Sequence, residues 1–259
     1  MMYEVLRAGQ RRCGLENVCA LAVMAKAPRA GKVKTRLAPE LGFDGSAAIN
    51  ICFLRDTTRN IETIEGAAGL VCYTPVGDEA AFDGLLPAGY KLIAQRGEAF
   101  GERLLAATED ILSLGYGSVC LIDSDSPTMP HEALQQAVEE LAKPGDRIVL
   151  GGSDDGGYYL IGLKRVHAQV FENITWSTAS VFAETLRQAR SAGVEVVELP
   201  VWYDVDDAAT LAVLERELVH GVRPEFAKVD GFDAQATREF LARRIARSAA
   251  QRVAEPVER

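Results

Sequence analysis

Two groupings in this chain have residue types and spacings suited to work on a phosphate. The first is Lys26-Ala-Pro-Arg-Ala-Gly-Lys-Val-Lys-Thr-Arg36, which holds five cations in eleven residues with no acid among them. Gly31 permits a tight turn whose neighbouring N–H groups can face an anion. Lys and Arg at this spacing suit a polyphosphate, where several charges must be met together; a solvated basic loop is the plainer alternative. The second is Asp123-Ser-Asp125, directly after the apolar Val119-Cys-Leu-Ile122. Residues two apart in extended chain point to one face. Both carboxylates can therefore reach one hard cation, Mg2+ or Mn2+, that keeps its waters and takes phosphate oxygens. Asp-Ser-Pro is equally good turn chemistry.

Further acids follow later strands. In Gly151-Gly-Ser-Asp-Asp-Gly-Gly157 the glycine pairs let backbone approach a ligand closely, with Asp155 as the candidate acceptor contact; a ligand-free glycine-rich hairpin is the alternative. Asp204 and Asp206 repeat the two-apart spacing and can complete a metal shell, while Asp207 suits a helix cap. Some chemistries are excluded. Val33 follows Lys32 where a Walker A loop needs Ser or Thr, and no three-glycine dinucleotide fingerprint follows the first strand. His131, His167 and His220 are scattered, so no Ser-His-Asp or Cys-His hydrolase is indicated.

The elements that must position these residues alternate. Strands are expected at 18–24, 69–74, 90–95, 118–123, 147–152, 158–163 and 194–200. Helices are expected from Ser46 as cap to about Ile64, then at 102–114, 131–141, 179–192 and 208–219. That rhythm predicts an α/β protein, a Rossmann-like three-layer α/β/α sandwich with a mostly parallel central sheet. Ligands of such folds gather beyond the carboxyl ends of the strands, where every candidate above lies. Residues 1–17 read as a polar arm without the apolar centre of a signal peptide. Residues 18–222 read as the nucleotide-binding catalytic domain, and 223–259 as a helical extension with Phe240, Leu241 and Ile245 on one side, closing the domain or else making a homodimer contact.

With 28 Lys+Arg against 37 Asp+Glu the net charge is −9, which argues against a nucleic-acid partner. No run is long enough to span a membrane. The five cysteines include no C-x-x-C pair, and Cys19, Cys72 and Cys120 lie in apolar runs, so reduced thiols and a cytoplasmic location are expected.

Taken together, VMAKAPRAGKVKTRLAP, the Gln95–Leu104 stretch QRGEAFGERL, LIDSDSPTMP, GGSDDGGYYLIGL, ITWST and WYDVDD resemble a bacterial glycosyltransferase-A-like family. That family is similar to 2-phospholactate guanylyltransferase and, more distantly, to the molybdenum-cofactor guanylyl- and cytidylyltransferases. The resemblance covers about Val18 to Leu218 and implies a GT-A fold. It implies that Lys26, Lys34 and Arg36 contact nucleotide phosphates, with Gly31, Thr35 and Gln95 in the same set, and that Asp123 and Asp125 bind metal. Asp155, Gly156, Gly157 and Tyr158, together with Trp176, Ser177 and Thr178, would line the acceptor side. The first loop lacks the L-x-G-G-x-S-x-R-x-G form of the nucleotidyltransferases, so base and acceptor do not carry over. The expected activity is Mg2+-dependent transfer of an NMP unit from an NTP to a small phosphorylated or hydroxylated acceptor, with Lys34, Asp125 and Asp155 catalytic. The alternatives are a glycosyltransferase using a nucleotide-diphospho-sugar and a non-catalytic nucleotide-binding protein.

Overall fold

The computed structural model describes residues 3–254. Its strands are β1 (Glu4–Leu6), β2 (Cys19–Lys26), β3 (Ala67–Thr74), β4 (Lys91–Ala94), β5 (Ser118–Ile122), β6 (Arg147–Ser153), β7 (Tyr158–Leu163) and β8 (Glu195–Trp202). Its helices are α1 (Ala38–Glu62), α2 (Phe100–Ser113), α3 (His131–Ala142), α4 (Val181–Ser191), α5 (Ala208–His220) and α6 (Gln235–Ala254). The strands form one sheet in the order β1-β4-β3-β2-β5-β7-β6-β8, parallel throughout except for β7, which runs antiparallel to β5 and β6. This is the three-layer α/β architecture expected from the strand–helix rhythm.

Alternation along the strands builds two cores. Cys19, Leu21, Val23, Cys120 and Ile122 face one side, with Ile49 and Phe53 of α1, Leu134 of α3, Leu214 of α5 and Leu241 of α6. Ala20, Ala22, Val119 and Leu121 face the other, with Leu104 and Ile111 of α2 and Ala189 of α4. Central strands such as β2 and β5 are thus covered on both faces, which is why their sequences read as continuous apolar runs. Among the described residues no helix is long and apolar enough to cross a membrane.

Two expectations are corrected. Residues 3–17 of the expected arm are not outside the fold: β1 pairs in parallel with β4 and adds the edge strand, and Arg12 N–H donates to the Leu114 carbonyl (2.8 Å). Ser46 does not cap α1. The helix begins at Ala38 next to Pro39, breaks at Gly42 (φ 70°, ψ 168°), and carries Ser46 buried within its second part. Proline in the first turn needs no N–H partner, and glycine alone adopts that φ without strain.

The order β4-β3-β2 followed by β5 on the other side of β2 makes a topological switch point between β2 and β5. There the loops leaving the two strands diverge and open a crevice. The basic loop leaves β2 and the Asp123–Asp125 loop leaves β5, so these two loops form its walls.

Candidate active site

Lys34 sits at the centre of the crevice. Its Nζ donates to the Val205 carbonyl (2.7 Å) and bridges Asp125 (2.9 Å) and Asp206 (3.0 Å), with the side chain only 5% exposed. Burial alone would push its pKa down, but Asp125 and Asp206 outweigh burial and hold it above the ordinary lysine range. Its backbone is left-handed (φ 46°, ψ 41°), a conformation costly for a residue with a Cβ and held only where the surroundings impose it. Arg36, 75% exposed, reaches Asp206 from outside (3.4 Å). The sequence sends Lys34 to phosphate; the structure places its ammonium on the two acids.

Asp123 is tied into its own loop. Its Oδ1 accepts the N–H groups of Asp125 and Ser126 (3.1 Å each), and its Oδ2 accepts the Ser126 hydroxyl (2.8 Å). Burial, then Asp125 and Asp204, push its pKa well above the usual carboxylate range. Asp204 is pushed up to about 7 by burial and by the charges of Asp206, Asp155 and Asp125. Asp155 accepts the Gly157 N–H (2.8 Å). Five carboxylates therefore crowd one cavity of about 510 Å3, lined also by Gly157, Tyr158, Trp176, Ser177 and Thr178. A second cleft of about 280 Å3, lined by Lys26, Lys32, Lys34, Thr35 and Arg36, joins the first at Arg36, Asp125 and Asp206.

This donor set suits a hard dication. Carboxylates that raise one another's pKa are relieved by a cation, and Asp125 and Asp206 are held by Lys and Arg side chains that can exchange for one. Among the described residues no three acids converge as a ready-made ligand cage. Mg2+ is usually held by one or two carboxylates together with waters and phosphate oxygens, and the residue types here suit that donor chemistry.

Two expected contacts fall elsewhere. Gln95 lines neither cavity; its amide donates to the Cys72 carbonyl (2.7 Å), where it fastens β4 to β3. Gly156 (φ 90°) packs so close to the Ala179 carbonyl that a Cβ would run into it, which makes it a support for the 177–179 loop. Gly156→Ala is expected to cost about 1–3 kcal/mol through this clash and its positive φ, read by urea denaturation. Gly31 (φ 72°) turns the basic loop, as expected.

Phe100 was not expected in the site. It projects 51% exposed at the start of α2, edge-on to Trp176 (centroids 5.1 Å, 81°), which is also edge-on to Tyr158 (6.3 Å, 75°). Its signal lay inside QRGEAFGERL, as an apolar ring among polar neighbours. Of that stretch Leu104 also lines the cavity, while Arg96 and Glu102 are scaffold: Arg96 makes a two-pronged pair with Asp110 (2.8 and 2.7 Å), and Glu102 accepts the N–H groups of Glu98 and Ala99.

Behind the acids, Glu217 of α5 accepts from the Tyr203 hydroxyl and from Thr128 Oγ1 (3.0 Å), which in turn accepts from Trp202 Nε1 (3.2 Å). The network clamps the loop after β5 to the loop after β8. Burial raises the Glu217 pKa, and the Tyr203 and Thr128 hydrogen bonds only partly reverse it. A raised folded pKa stabilises the fold below the ordinary carboxylate range and loses that contribution as pH rises through the folded value. Glu217→Ala should cost about 2–4 kcal/mol by orphaning two buried hydroxyls. Glu217→Gln should cost less and gain on wild type between pH 5 and 8, measured by urea denaturation at both.

The residues 57–178 match the model of the family described as uncharacterized protein conserved in bacteria, DUF2064. No curated protein matches the chain. A solved protein from Desulfovibrio desulfuricans G20, provisionally designated a nucleotide-diphospho-sugar transferase, is 32% identical over 88% of this chain and 95% of its own, with TM-score 0.75. The fold is shared at 12% identity with CMP:2-keto-3-deoxy-manno-octonic acid synthetase in complex with CTP (79% of this chain, 100% of that one, TM-score 0.52). It is shared at 13% identity with a nucleotidyl transferase from a Methanothermobacter species (80% and 100%, TM-score 0.53). With this family match and 32% identity to the Desulfovibrio protein over 95% of its length, the chain belongs to the bacterial DUF2064 family.

Proposed function

We propose that the protein is a nucleotidyltransferase that moves an NMP unit from an NTP to a small acceptor and releases pyrophosphate, with Mg2+ or Mn2+ as cofactor. The observation that carries this reading is the junction of a cationic cleft with an acidic chamber at Arg36, Asp125 and Asp206. A triphosphate in the cleft has its outer phosphates met by Lys26, Lys32 and Arg36, and its α-phosphate lies at the junction. Asp125 and Asp206 would hold the divalent ion, with Asp123 and Asp204 behind them. When bound, the ion supplies charge neutralisation at the α-phosphate.

The acceptor oxygen enters from the chamber and bonds to the α-phosphorus. The bond from that phosphorus to the bridging oxygen breaks, and pyrophosphate leaves into the cleft. A hydroxyl acceptor passes its proton to Asp155. Lys34 keeps Asp125 and Asp206 apart and aimed, and adds positive charge where the leaving group develops its own negative charge.

The designation of the Desulfovibrio relative favours a second reading, glycosyl transfer from a nucleotide-diphospho-sugar. With Lys34 taken by Asp125 and Asp206, Lys26, Lys32 and Arg36 still line the cleft, more than a metal-bound diphosphate needs, which favours the triphosphate. A thermal-shift screen of the four NTPs and common nucleotide sugars with Mg2+ tests the choice, since stabilisation follows ligand concentration over Kd. One NTP should stand out; stabilisation by nucleotide sugars alone overturns the proposal.

A further inference from the structure

Two unlike groups of side chains line the chamber. The first is Phe100, Tyr158 and Trp176, with Trp176 edge-to-face against each of the other two rings. Trp176 is seated on α2, where a Cβ at Gly101 would lie 2.6 Å from its Nε1, so the glycine lets the indole pack against the helix. The second group is Asp123, Asp155 and Asp204, and among the described residues the one cation lining the chamber is Arg36 at the junction, 3.4 Å from Asp206. Among the described residues the cation that lines the chamber, Arg36, is already paired with Asp206, whereas a carboxyl group accepts hydrogen bonds from hydroxyls whether or not it is ionised. A phosphate or carboxylate entering here meets the exposed Asp155 carboxylate and an apolar aromatic surface. A ring bearing hydroxyls suits both groups: its C–H face can lie on the aromatic rings and its O–H groups can donate to the acids.

We infer that the acceptor is a hydroxylated ring carrying neither phosphate nor carboxylate, a sugar or cyclic polyol. This rests on the nucleotidyl reading above and selects between its phosphorylated and hydroxylated acceptors. The structure assigns Phe100 and Trp176 to the ring face and Asp155 and Asp204 to the hydroxyls.

The test uses the full chain with Mg2+ and the NTP that stabilises it, read by tryptophan fluorescence, with Trp176→Phe identifying the reporting residue. The probes are methyl α-D-glucopyranoside against its 6-phosphate, and ribose against ribose 5-phosphate. Each unphosphorylated member should bind at least about tenfold tighter than its partner at low ionic strength, and the gap should narrow with salt. Asp155→Asn should narrow it as well. Trp176→Ala should weaken the sugars and leave NTP affinity, measured by isothermal titration, within about threefold. Tighter binding of the phosphorylated members, no response to either unphosphorylated ring, or an equal loss of NTP affinity in Trp176→Ala overturns the inference. Failure of the wild type to bind any NTP is a separate result: it removes the nucleotidyl reading, while the sugar titrations without nucleotide still report the chamber's preference.

Discussion

Asp125→Asn is expected to lower kcat at least about a hundredfold while the protein remains folded. Asp125 Oδ2 faces Lys34 at the point where cleft and chamber meet, and its side chain is a third exposed, so the amide fits the same space. Asparagine keeps an oxygen but loses the charge that a hard dication and an ammonium both require. Steady-state assays at saturating Mg2+, with the melting temperature as the control for folding, measure the effect. Turnover within about threefold of wild type would remove Asp125 from the catalytic centre.

Lys34→Met should have a comparable effect by another route. The methionine fills the volume but removes the ammonium shared by Asp125, Asp206 and the Val205 carbonyl. Two carboxylates then face each other in a half-buried site. Breaking a buried ion network by deleting one partner typically costs about 3–5 kcal/mol, and the exposed edge of Asp206 places this case near the lower end. Catalysis should fall at least about a hundredfold as well, since Asp125 and Asp206 lose the group that aims them. Mg2+ should therefore raise the melting temperature of the variant more than that of wild type, because it substitutes for the missing charge. Calorimetry with and without Mg2+ reads both effects. Equal Mg2+ shifts in the two proteins would mean that Lys34 and a dication do not share the same acids.

The parts of this site that were legible in the sequence are those whose chemistry is local. An apolar run such as VCALAVM is a strand because both its faces are covered, and an Asp pair two residues apart after VCLI is on one face by the geometry of extended chain. The basic loop, the acid loops and their common edge of the sheet followed from the strand–helix rhythm. What was not legible depends on partners distant in the chain. Lys34 reaches Asp206 across 172 positions, and no local signal says that a lysine in a basic loop meets acids before phosphates. β1 is three residues in a polar arm and is a strand only because β4 offers it an edge. Gln95 sits in a motif of charged residues, but its amide satisfies a β3 carbonyl, a role set by the pairing of β3 with β4. Phe100 becomes part of a wall only when the 176–178 loop folds back over α2.

The central claim is that the cleft reads a triphosphate whose α-phosphate lies at the acids. Isothermal titration of the stabilising NTP, its NDP-sugar and its NMP, with Mg2+, against wild type and Arg36→Ala tests it most directly. Arg36 is 75% exposed and can turn from Asp206 to a phosphate, and a charge-assisted bond of about 1.5–3 kcal/mol corresponds to roughly ten- to hundredfold in affinity. Wild type should bind the NTP at least about tenfold tighter than the NMP or the NDP-sugar, Arg36→Ala should lose most of that margin, and rising salt should narrow it. An NDP-sugar that binds more tightly than every NTP, or equal losses for NTP and NMP in Arg36→Ala, would contradict it.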